Sequence, residues 1–217
     1  MSEGEKLTSA IEIFIKKFQN VPLHYLFESD LKCGLYNEIK KLFSGNKQLN
    51  TTFELSKYYV EPVKIPEVTT EYKYFKHYKS KGFSIQVSHC RFDIAILGPE
   101  IEFNSIKTYS PDYDYTGDAM WLQPVRYGIE LKLFYTPNHV NLITINNEIE
   151  KLDSYEYFEG FLFNGISLNF CYTDFDNNIM NKLQIGGFTQ TQNVELFSKR
   201  IDCLVIFKNK IFIKNTK

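Results

Sequence analysis

The sequence has no CxxC pair, no histidines at zinc-ligand or HNH-like spacing and no Walker-type phosphate loop around Gly186-Gly187. Zinc-finger and nucleotide-hydrolase readings therefore have no support. The four cysteines, Cys33, Cys90, Cys171 and Cys203, are widely scattered, as expected of reduced and mostly buried thiols. No apolar run approaches membrane-spanning length, and the start, Met1-Ser2-Glu3-Gly4-Glu5, is acidic. These features predict a soluble, cytoplasmic protein with no membrane partner. Internal repeats and low-complexity linkers are also missing. A net charge of −1 carries no overall basic signature, although a local basic groove can coexist with acids that hold a metal.

What is present is enough for one core. The chain has 217 residues, 43% of them hydrophobic, which predicts a single folded domain, 1–217, with insertions at 46–82 and 98–126. Phe and Tyr are abundant, and in a chain so rich in Asn, Lys and Ile a biased coding composition accounts for them more simply than base stacking.

Helical spacing of Ala10, Ile11, Phe14, Ile15 and Phe18 predicts a helix over 8–18 capped by Thr8 or Ser9. A second helix carries Phe27, Leu31, Leu35, Ile39 and Leu42 and ends near Gly45, with Ser29 as an alternative cap that would put Glu28 at its entry. Residues 53–63 have strand-like content broken by prolines. Tyr72, Phe75 and Tyr78 could form one side of a short helix, and Lys73, Lys76, Lys79 and Lys81 among the aromatics suit either a solvated face or a phosphate backbone. Two strands, or one bent ribbon, follow over 83–90 and 92–97. The loop with Asp112, Asp114 and Asp118 lacks the Gly and closing Glu of an EF-hand. A turn over 137–141, a helix over 142–157, strands at 161–163 and 166–172, a short element at 194–199 and a hairpin around Lys208-Asn209 complete a mixed α/β pattern with helices on both faces of a central sheet.

Within that pattern one stretch stands out. In Tyr127-Gly128-Ile129-Glu130-Leu131-Lys132-Leu133-Phe134, Ile129, Leu131 and Leu133 share one face of a strand, and Glu130 and Lys132 share the other. Charges inside an apolar strand are costly unless they are paired, solvated or used. A half-solvated strand is the plainest reading of such a pair, and a structural domain in which Glu130 and Lys132 simply pair with each other is a separate one. An earlier strand, Phe92-Asp93-Ile94-Ala95-Ile96-Leu97, adds a second acid at the mouth of an apolar run.

An acid on an early helix, an Asp at the start of a strand and Glu-x-Lys on the next resembles the PD-(D/E)xK nuclease superfamily over residues 22–172. The resemblance implies a restriction-endonuclease-like fold, a mixed sheet flanked by helices, and catalytic residues Glu28, Asp93, Glu130 and Lys132. Asp93, Glu130 and the carbonyl of Leu131 would hold Mg²⁺ or Mn²⁺, for which hard oxygen ligands are suited. Glu28 would act directly or through a water, and Lys132 would orient or deprotonate the attacking water. Nucleic acid, DNA above RNA, would be the substrate, in a restriction or defence setting, with a homodimer as one arrangement. A catalytically inactive nuclease-fold module that binds nucleic acid or protein is the alternative. Phe92 stands where the family usually has Pro, and the gap from Asp93 to Glu130 is long. Glu38 competes with Glu28 as the helix acid. Arg91 could reach a phosphate or form a surface salt bridge. Glu148 and Lys151 are either supporting polar groups or an i,i+3 surface pair. Asp202 imitates Asp93 but reads as a hairpin-edge acid.

Overall fold

A computed structural model describes residues 1–49, 63–79, 85–98, 125–136, 139–153, 155, 163–174, 177–197 and 199–216. The element order is α1 (Glu3–Asn20), a 3₁₀ turn (Pro22–His24), α2 (Glu28–Leu42), β1 (Asn46–Leu49), β2 (Val63–Pro66), β3 (Val68–Lys79), β4 (Ile85–Leu97) and β5 (Val125–Phe134). It continues with α3 (Leu142–Asp153), β6 (Asn164–Cys171), α4 (Asn177–Ile185), β7 (Thr189–Thr191), β8 (Ile201–Ile206) and β9 (Ile211–Thr216). A seven-stranded mixed sheet runs in the order β3-β4-β5-β6-β8-β9-β7, beside a two-stranded β1-β2 ribbon. β3, β4 and β5 are antiparallel neighbours, whereas β5, β6 and β8 run parallel. β5 is thus the seam between an antiparallel and a parallel half, and α3 is the crossover that joins it to β6.

Strand alternation sends Ile129, Leu131, Ile166, Leu168 and Phe170 into a core with Phe14 and Phe18 of α1 and Leu31, Leu35 and Ile39 of α2. The opposite face packs on Ile145 and Leu152 of α3 and on Ile179 and Leu183 of α4. Helices cover both faces of the sheet, and no helix among the described residues is long and apolar enough to cross a membrane.

Several expectations are corrected. α1 starts earlier than its apolar stripe, because Ser2 accepts from the Glu5 N–H and Glu5 accepts from the Ser2 N–H, a capping box that supersedes Thr8 and Ser9. Tyr72, Phe75 and Tyr78 lie on β3, a strand paired with β4 along most of its length. Of the two readings of 83–97, the single ribbon is the one that holds, from Ile85 onward. α3 runs from Leu142 to Asp153, and Tyr155 lies outside it. Residues 194–197 form no regular element, whereas α4 and β7 were not anticipated. The strand-like stretch before Val63, the acidic loop, Lys81 and the side chains of Lys73, Lys76 and Lys79 lie outside the described residues. So do Phe161 and Leu162.

Candidate active site

The site begins where β4 and β5 part. Their pairing runs to Ile94 opposite Ile129, and Asp93 stands one residue beyond. Here β4 also loses its alternation: Phe92 belongs to the core under α3, while Ile94, two residues on, belongs to the core under α1 and α2. Gly128 permits this, because a Cβ there would stand 2.6 Å from the Phe92 ring. Phe92 fills that space and stacks with Phe163 and edge-on with Tyr155, so this position is a packing anchor. Where backbone pairing ends, the Asp93 carboxylate replaces it: Oδ2 accepts from the Leu131 N–H at 2.8 Å, and Oδ1 pairs with Lys32 of α2 at 3.1 Å.

Glu130 and Lys132 project from β5 toward α3, yet they do not pair with each other. Glu130 is 3% exposed. Its Oε2 meets Lys151 of α3 at 2.7 Å, while its Oε1 is buried without a hydrogen-bond partner. Lys132 lies between Glu28 Oε1 at 3.5 Å and Glu148 Oε1 at 3.6 Å. Glu148 also faces Lys151 at 3.8 Å. Glu28 reaches the site because α2 starts at that residue; the Asp30 carboxylate accepts from the Phe27 N–H and fixes the helix entry. The fold brings Glu28, Asp93, Glu130 and Lys132 into one interlocked group, with Glu148 and Lys151 as members of it.

Electrostatics follow from burial and neighbours. Burial pushes Glu130 up to about 8 against the pull of Lys151, and Asp93 and Glu148 add to the rise. For Lys132, burial acts to lower the pKa, but Glu28, Glu148, Asp93 and Glu130 together outweigh it and hold the ammonium above its usual value. Lys132 is therefore a resident positive charge rather than a ready proton acceptor. Among the described residues, no three His, Cys, Asp or Glu groups stand together in ligand positions. On β6, Ser167 lies beside Glu130 and Asn169 beside Lys132. Both are buried, and Asn169 donates to Ser167 and to the Leu204 carbonyl but leaves its own Oδ1 unpartnered.

Other candidates fall elsewhere. Glu38 holds Lys17 at 2.7 Å and Lys41 at 2.8 Å, and these bonds pull its carboxyl below the usual range. Asp202 is buried on an interior strand, not at a hairpin edge: it accepts from the Phe197 N–H and from Asn215, each at 2.6 Å. Arg91 is exposed. Cys33 is an exposed thiol, while Cys171 and Cys203 are buried. Lys32 was missed because its apparent place on the wet side of α2 gave no hint of Asp93. Among known proteins, no family model, no curated protein and no solved structure matches the chain.

Proposed function

We propose that the protein is a divalent-metal-dependent nuclease that hydrolyses phosphodiester bonds, with DNA as the first substrate to test. The observation that carries this reading is the meeting of Glu28, Asp93, Glu130 and Lys132, from one helix and two strands, at the fork between β4 and β5. Further support comes from the order of parts: helix acid on α2, Asp strand β4, Glu-x-Lys strand β5, crossover helix α3 and parallel strand β6. That is the order a restriction-endonuclease-like fold would have.

The donor set suits Mg²⁺ or Mn²⁺. Asp93 and Glu130 offer carboxylate oxygens, one of them the orphaned Glu130 Oε1. A residue's N–H and C=O leave a strand on the same side, so the Leu131 carbonyl faces the side from which Asp93 receives its N–H. With two protein carboxylates, the other positions would fall to that carbonyl, to waters held by Glu28 and to substrate oxygens, as is usual for Mg²⁺. When bound, the metal supplies Lewis-acid polarisation of the phosphate and a more acidic water. Lys132, kept protonated by its acidic neighbours, would hold charge against the phosphate oxygen on which negative charge develops. One P–O bond forms from water and one ester P–O bond breaks, the water's proton passing to the leaving oxygen through solvent.

The test is nicking of supercoiled plasmid and degradation of linear duplex, single-stranded DNA and RNA with Mg²⁺ or Mn²⁺. Asp93→Ala and Lys132→Ala are each expected to reduce cleavage by a hundredfold or more, on the order of one lost electrostatic partner, with native far-UV spectra. Cleavage unchanged in both variants would overturn the assignment. The lysines on Asp93 and Glu130 favour the second reading, a nuclease-fold binding module whose acids are neutralised internally. Its mark would be no cleavage and no binding of Mn²⁺ in a metal titration.

A further inference from the structure

Residues 21–27 expose Val21, Leu23, Leu26 and Phe27, Leu23 at 70% and Phe27 at 61%. Apolar side chains this exposed, grouped within one turn, mark a surface for contact. Tyr25 seats the turn. Tyr25 packs edge-on against Phe14 at 5.2 Å and lies 6.0 Å from Phe18, and the Tyr172 hydroxyl donates to the Tyr25 carbonyl. Gly34 of α2 makes the room, since a Cβ there would stand 2.6 Å from Phe14 and 2.9 Å from Tyr25. With Tyr25 held inward, its neighbours face outward.

The same surface continues to Tyr135, which is 54% exposed and 5.7 Å from the ring of Tyr172. Both ends of it join the candidate site directly. Phe27 precedes Glu28, the partner of Lys132, and Tyr135 follows the last residue of β5. Neither 21–27 nor 133–141 contains an acidic residue, and each contains a histidine. The carboxylates at this surface are those of Asp30, which accepts from the Phe27 N–H, and of Glu28, which is paired with Lys132.

We propose that Leu23, Leu26, Phe27 and Tyr135 receive unpaired bases of the nucleic-acid strand whose phosphate reaches Lys132, so that the substrate is single-stranded or locally opened. This rests on the nuclease reading and narrows it. Phosphates gain nothing from Leu and Phe, and a closed duplex presents its phosphates and hides its base faces. Unpaired bases present the apolar faces that aromatic rings stack on, and each stack strengthens binding by about tenfold or more.

The experiment is equilibrium binding of short oligo-dT carrying one 2-aminopurine, with EDTA present to prevent cleavage, alongside a duplex of the same length and an abasic strand. The native protein is expected to prefer the base-bearing single strand and to quench the 2-aminopurine. Phe27→Ala and Tyr135→Ala should each weaken that binding about tenfold and reduce the quench, with the salt dependence unchanged, and Phe27→Trp should restore both. Binding to the abasic strand should not respond to these substitutions. Base-bearing strand bound equally well by both alanine variants, or by no form of the protein, overturns the proposal. So does a native dimer in sedimentation that Phe27→Ala converts to monomer, which would make this an interface between copies. Asp93-dependent cleavage that persists with no stacking signal overturns the surface alone. Stacking without Asp93-dependent cleavage of any substrate overturns the hydrolase reading alone.

Discussion

Strands β5 and β6 carry two faces of opposite character. Toward α1 and α2 they present Ile129, Leu131, Ile166, Leu168 and Phe170, all buried and apolar. Toward α3 the same strands present Glu130, Lys132, Ser167 and Asn169. The three buried side-chain polar atoms without hydrogen-bond partners, among the described residues, are Glu130 Oε1 and Asn169 Oδ1 of this second face and Glu148 Oε2 of α3, which faces it. Buried polar groups are nearly always satisfied, so exceptions gathered in one place call for a use. One face stabilises the fold, and the other is kept at a cost in stability.

The largest expected effect tests the stabilising face. Leu168→Ala should lower unfolding stability by about 2–5 kcal/mol, read from urea denaturation, while cleavage per folded molecule stays at the native level. Lys132→Ala should do the reverse. If Leu168→Ala abolished cleavage without destabilising the fold, the division between the faces would fail.

Next in size is the pH dependence of the charged face. Glu130 titrates at about 8 in the folded protein against an ordinary 4.5. Between those values the folded state holds a proton that the unfolded chain has released, so stability is highest below the ordinary value and falls as pH rises through about 8. Glu130→Gln removes the ionisation and should flatten that slope, gaining on the order of 4–5 kcal/mol over the native protein at pH 9 relative to pH 4. Parallel pH–stability curves for the two proteins would show that Glu130 is not held against its charge.

Two Asp-led strands sharpen the contrast further. Phe92-Asp93-Ile94 and Ile201-Asp202-Cys203 look alike in sequence. Asp93 faces a lysine and a strand fork, whereas Asp202 is closed off by Asn215 and the Phe197 N–H, with burial raising its pKa. Asp202→Asn should cost about 1–3 kcal/mol and spare cleavage. Asp93→Asn should abolish cleavage.

Legibility in the sequence followed the same division. Elements with one buried face announced themselves: the apolar stripes of α1, α2 and α3 and the alternation of β5 are periodic because a core selects them, while β8, buried on both faces, was legible as a continuous apolar run. β3, at the end of the sheet, has no such period, and its mixture of Tyr, Lys and His imitated a helix. α4 was hidden because a short helix between turns has two buried side chains, Ile179 and Leu183, to mark it. In the site, Asp93, Glu130 and Lys132 were readable as charges where apolar residues belong. Lys151 was readable, with Glu148, as a supporting polar group on the helix after the Glu-x-Lys strand, whereas Lys32 was not readable as the partner of Asp93, because the spacing of α2 says nothing about the strand it meets.

The smallest effect decides which helix acid belongs to the site. Both candidates lie on α2, but Glu28 points to Lys132 across the fork, whereas Glu38 binds the largely exposed Lys17 and Lys41. Ion pairs with exposed lysines contribute roughly 1 kcal/mol or less. Because the Glu38 carboxyl is depressed, that contribution exists above its ordinary pKa and disappears as pH falls through its folded value. Glu38→Gln should therefore shift the neutral-pH denaturation midpoint slightly, leave the acid end unchanged and spare cleavage. Glu28→Gln should leave stability within about 1 kcal/mol and slow cleavage, since Lys132 loses one of the two carboxylates that position it. If instead Glu38→Gln were the slow enzyme, the helix acid would act from the far end of α2, and the geometry at the fork would describe an ion-pair network alone.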